Sequence, residues 1–221
     1  MYRRSMLAGA ILAAAVSTLS AAGANAQQFT ADLKGFNEIG SIPTAFPAIA
    51  STPSPSSPSG YTGAVLSNGT GTAALVLNKM AGTVTYTLTY SNVGLTPPQT
   101  GTVSQAHIHF GKTRDSGGIL VFFCTNLTFS GTGPTPQACP ANSGTVSGTW
   151  TKDNVQAIPG QNVVAGNFNA LVAALESDTA YANVHTIPGA GATHTAYPGG
   201  EIRGQVRRAE EDDQQGNQNQ Q

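Results

Sequence analysis

Thr83 to Tyr90 reads TVTYTLTY, with Val84, Tyr86, Leu88 and Tyr90 on one side and Thr83, Thr85, Thr87 and Thr89 on the other. A period of two describes a strand with one face in a core and the other in solvent. Phe29–Leu33 (FTADL) alternates in the same way, and residues 69–77 (GTGTAALVL) predict a partner strand. Asn78 to Gly82 supplies the hairpin loop between that partner and the threonine strand. Further strands are predicted for Gln105–Phe110, for the apolar run Ile119–Phe123, and for residues 143–151, 180–185 and 201–206. Asn167–Glu176 changes period: Phe168, Leu171, Val172 and Leu175 fall at i, i+3, i+4 and i+7, one face of a short helix. Asn167 stands at the N-cap position, and the helix is expected to plug one end of the sheet. Seven or eight short strands with turn signals between them predict an all-β, antiparallel Greek-key sandwich or barrel with one short helix.

The ends of the chain lack this patterning. Arg3 and Arg4 precede an apolar run, Met6–Val16, and Ala24-Asn25-Ala26 is a small-x-small cleavage signal. Residues 1–26 therefore read as a secretory signal peptide cleaved after Ala26, so the protein is expected to be secreted or periplasmic, with no membrane span in the mature chain. The folded domain is expected over 27–208, and 209–221, acidic and glutamine-rich, is expected to be disordered. Residues 41–60, SIPTAFPAIASTPSPSSPSG, carry prolines that cannot donate to a ladder and read as a loop insertion. Loss of two leader arginines leaves 8 Lys and Arg against 11 Asp and Glu, a net charge of −3. Without a basic surplus, nucleic acid is not an expected partner.

Candidate chemistry is sparse. Cys124 and Cys139 are the two cysteines, and in an exported chain an even count reads as a disulfide. The alternative is a pair of metal thiolates. Three of the four histidines lie in two blocks, His107 and His109 in QAHIHFG and His185 in YANVHT. His107 and His109, two apart on a strand, share a face. Three converging neutral imidazoles suit copper or zinc. They would have to bring ring nitrogens within roughly 4 Å, since each metal–nitrogen bond is about 2 Å. Such binding is expected to fade below about pH 6, as imidazole takes up protons. The competing reading has these rings pinning strand ends through hydrogen bonds, with Glu201 as an acceptor. His194 lies in a Gly/Ala-rich loop and is expected to be exposed. Glu201 and Arg203 share a face of the last strand, either as a surface ion pair or with Arg203 holding loop carbonyls. No Gly-x-Ser-x-Gly elbow or Ser/His/Asp set is legible, so no catalytic residues are assigned.

The blocks LKGFNE, TVTYTLTYSNV, AHIHFG, GGILVFF, YANVHT and GGEIRGQV, in that order, resemble the CHRD domain, named for chordin and also found in exported microbial proteins. The resemblance covers nearly all of 29–207 and implies an immunoglobulin-like or Greek-key β fold outside the cytoplasm. The insertion at 41–60, the cysteine-bounded loop and the long turn after His185 depart from that pattern. His-x-His, a later Val-His and a Gly-Gly block before a final strand are also similar in order to Cu/Zn superoxide dismutase. That similarity implies a superoxide-dismutase-like barrel with His107, His109 and His185 as copper ligands; that family's zinc-site residues and bridging histidine have no counterpart here. The function expected first is a non-enzymatic extracytoplasmic binding or structural module. Its loops 41–60 and 124–139 would recognise a protein or surface ligand. The alternative is a copper- or zinc-binding protein, with dismutase-like redox activity as its enzymatic form.

Overall fold

The computed structural model describes residues 26–39, 63–97, 101–187, 197 and 199–209. The leader before Ala26, the segment 41–60, His194 and the tail from Glu210 lie outside the described residues. Among the described residues nine strands form one antiparallel sheet: β1 (Ala26–Lys34), β2 (Thr70–Asn78), β3 (Thr83–Ser91), β4 (Thr102–Phe110), β5 (Gly118–Thr125), β6 (Gly144–Trp150), β7 (Ala180–Ile187), β8 (Ile202–Gln205) and β9 (Arg207–Arg208). Their order is β5-β4-β7-β8-β1-β2-β3-β6, with β9 beside β1. The consecutive strands β1, β2 and β3 form a meander. The chain then crosses to β4 and β5, returns to β6, and crosses again to β7, which is the Greek-key connection. The single α-helix among the described residues, α1 (Phe168–Glu176), is capped by Asn167, whose side chain accepts from the Ala170 amide at 3.2 Å. Leu171, Ala174 and Leu175 press its apolar face into the core.

The period-two strands build that core. Val84, Tyr86, Leu88 and Tyr90 of β3 are buried, whereas Thr85, Thr87 and Thr89 are exposed. Outside, the threonines bond to β6: Thr89 to Thr145 at 2.9 Å and Thr87 to Ser147 at 3.1 Å between hydroxyls. From the other wall come Ile108 of β4, Phe123 of β5 and Val184 of β7, all fully buried.

The sheet curls until β5 and β6 approach each other, but side chains rather than a ladder close the gap. Trp150 Nε1 donates to the Phe122 carbonyl at 2.8 Å, and Tyr86 Oη to the Phe123 carbonyl at 3.2 Å. The two rings stack with centroids 4.2 Å apart. The long connection leaving β5 is tied down by the disulfide Cys124–Cys139, which closes a separation of 15 residues. Asn126 reinforces it: its amide donates to the Val103 and Cys139 carbonyls, and its Oδ1 accepts from the Cys139 amide.

Strands β4 and β7 depart from the half-buried pattern. β7 is buried at every position from Ala180 to Thr186, and β4 from Ala106 to His109. The outward face of this part of the barrel is therefore covered by a second layer, and the histidines lie within it.

Candidate metal centre

Directly opposed residues on antiparallel strands share a face. In this register His107 faces Phe122 of β5 and Asn183 of β7, and Asn183 in turn faces Arg203 of β8. His109 faces Ile119 and Tyr181, while His185 faces Gln105, one step along β4 from His107 on the same face. Three histidines from two adjacent strands thus project from one surface. The pairing of β4 with β5 shifts immediately before each of the two β4 histidines, between Ala106 and His107 and between Ile108 and His109. Such bulges re-aim side chains.

The rings converge. His107 Nδ1 lies 3.3 Å from His109 Nε2 and 3.1 Å from His185 Nε2. The ligand atoms of the three residues all fall within 4.8 Å of one another. The two short separations meet the roughly 4 Å expected from bond lengths; the outer limit of 4.8 Å exceeds it. All three residues are buried. Phe122 meets His107 edge-on at 4.5 Å, and Tyr181 lies parallel to His109 at 4.8 Å.

A supporting shell fixes His109. Its Nδ1 lies 3.0 Å from the Gly117 carbonyl, which requires the proton on Nδ1 and leaves the Nε2 lone pair facing the cluster. The Gly117 amide donates to Tyr181 Oη at 3.2 Å. No side chain fits at 117, because a Cβ there would come within 1.7 Å of the Phe110 carbonyl oxygen. The turn before Gly117 is held by Arg203, whose Nη2 donates to the Lys112 and Asp115 carbonyls at 2.9 and 3.0 Å. The same guanidinium lies 3.4 Å above the Tyr181 ring. Arg203, Tyr181 and His109 form one stack under that turn.

Residues 29–206 match the family model of the CHRD domain. The chain belongs to the CHRD domain family. No curated protein matches it.

In this CHRD domain the covered layer also holds two buried carboxylates. Glu201 Oε1 accepts from Ser67 Oγ at 2.7 Å and from the Gly94 amide at 2.9 Å, and its Oε2 accepts from Thr186 Oγ1 at 3.2 Å. The carboxylate therefore ties the residue before β8 to two loops and to β7. Glu38 accepts from Asn183 Nδ2. Burial pushes the Glu38 carboxyl up to about 8, although the Arg203 charge pulls the other way. Burial lowers both histidines whose shifts are clear. His107 falls well below the ordinary imidazole value through desolvation and then the neighbouring His185 and His109. His109 falls to about 3, again through burial first and His185 second. His107 and His109 hold their lone pairs further into acid than the pH 6 limit expected from free imidazole.

His107, His109 and His185 were legible from residue type and spacing. Glu38, Gly117, Phe122, Tyr181 and Asn183 were not singled out. Tyr181, Asn183 and His185 alternate with Ala182 and Val184, so their outward side was readable. That side lacks the run of threonines that marks the exposed face of β3, and this difference is the signal that it is covered. Glu38 reaches Asn183 across 145 residues, and no local pattern announces that contact.

Proposed function

We propose that this CHRD domain is an exported, non-catalytic module that binds a transition-metal ion, copper or zinc, through His107 Nδ1, His109 Nε2 and His185 Nε2. The observation that carries the reading is the meeting of three ring nitrogens at 3.1 and 3.3 Å about His107 Nδ1. With His109 Nε2 committed as a lone pair, a proton on His107 Nδ1 serves one neighbour well. Without that proton, two lone pairs face each other. A cation among the nitrogens satisfies all three at once. Buried neutral imidazoles are also the protonation state that a metal needs. Export is supported by the disulfide, which persists in oxidising compartments.

The test is thermal melting of full-length protein stripped with chelator, with Cu or Zn added back. An ion at 100 times its dissociation constant stabilises the fold by about 2.7 kcal/mol. At roughly 2–4 °C per kcal/mol for a domain of this size, the melting temperature rises by about 5–10 °C. His109→Ala should remove that rise. An equal rise in His109→Ala, or none in the native sequence, refutes the site.

A further inference from the structure

If the three histidines hold a metal, their surroundings also set the charge of the ion, an inference that rests on the metal-binding reading and deepens it. The donor set is three imidazoles, with no carboxylate or thiolate among them. Both cysteines are committed to the disulfide. His107 is 0% exposed, His185 5% and His109 8%, and the rings of Phe122 and Tyr181 wall the cluster. A cation moved from water into such a box loses hydration in proportion to the square of its charge. A divalent ion therefore loses about four times what a monovalent ion of the same size loses. A carboxylate ligand would offset part of that loss, and this set has none. The Glu201 carboxylate already accepts from Ser67, Gly94 and Thr186. Glu38 hydrogen-bonds to Asn183 and, held up near 8 by burial, is mostly uncharged at neutral pH. The Arg203 guanidinium lies 3.4 Å over the Tyr181 ring, which stacks on His109, and its charge is positive.

The burial, the all-imidazole donor set and the Arg203 charge oppose a second positive charge, while imidazole nitrogen remains a good donor to copper. We infer that the three-histidine site selects monovalent copper, Cu(I), over both Zn(II) and Cu(II). His107, with its Nδ1 between the other two ring nitrogens, is the central donor. The copper keeps its oxidation state on binding, and no bond is made or broken beyond metal–nitrogen coordination. Each tenfold preference for Cu(I) over Cu(II) raises the copper reduction potential by about 59 mV.

The experiment uses the full-length protein without oxygen. Cu(I) is supplied from a coloured Cu(I)-specific chelator in competition with the protein, and Zn(II) and Cu(II) are titrated separately against chelators of known affinity. The expected result is one Cu(I) per chain, bound at least tenfold more tightly than either divalent ion. A smaller preference, or tighter binding of Zn(II) or Cu(II), overturns the charge selectivity and leaves the metal site standing. Failure of all three ions to bind removes the metal site itself. The comparison is made within the native sequence, so it does not depend on a variant that folds.

Discussion

Replacing Glu38 with glutamine should make the domain more stable in mildly alkaline solution and leave it nearly unchanged at pH 5. The Glu38 carboxyl ordinarily titrates at 4.5 and is pushed up to about 8 in the fold, chiefly by burial. Between those two values the folded chain holds a proton that the unfolded chain releases. Stability therefore falls as pH rises through this window, at about 1.4 kcal/mol per unit when fully developed. Little of the penalty is present at pH 5, and most of it at pH 8. The difference amounts to about 3 kcal/mol, an order-of-magnitude figure. Glutamine has the shape of the protonated acid and no charge to desolvate, and its Oε1 can still accept from Asn183. The buried histidines contribute with the opposite sign. With folded values below the ordinary 6.5, they cost stability as pH falls beneath it. Both proteins share that acid limb, so the difference between them isolates Glu38. Urea unfolding midpoints from pH 5 to pH 9 should nearly coincide at pH 5, diverge as pH rises toward 8, and hold a constant separation above it. Parallel curves would show that Glu38 is not desolvated in the fold, and the argument from burial would fail.

Cys139→Ser opens a loop spanning 15 residues, and loop-closure entropy alone sets the loss at about 3 kcal/mol. Melting should move down by roughly 6–12 °C; an unchanged transition would show that the bridge constrains nothing. Protein recovered outside the cytoplasm should begin at Gln27, read from its intact mass. That cut trims only the first residue of β1, which pairs with Asn78, so it should leave the fold intact. Recovery of the uncut chain would refute the leader assignment.

The strict alternation of β3 announced both its buried face and its threonine face, and the cap and apolar stripe of α1 announced a single helix against the core. The run ILVFF is different. Every residue in it is apolar, so no period can be read, and the positions of Leu120 and Phe123 between paired residues emerge only from the pairing with β4. Burial on both faces of β4 and β7 was hidden for another reason. Alternation says which way a side chain points and says nothing about what lies over it. Arg203 shows the limit most clearly. Its place in GGEIRGQV suggested a contact to loop carbonyls. The choice of the turn 112–115, about ninety positions earlier, is a property of the fold.

The gap between β5 and β6 bears on how copies of this chain meet one another. An unpaired strand edge is a template, and its carbonyls would accept the amides of any extended segment that drifted into register. At β5 two of those acceptors are already taken, one by the indole of Trp150 and the other by the phenol of Tyr86. Many sheets guard a free edge with lysines or prolines. This one uses two stacked rings anchored in its own core, and that guard does not weaken as salt screens surface charge. The open side of the barrel is thereby made less receptive to a second molecule's strand, because two carbonyls along β5 already have donors from within the domain.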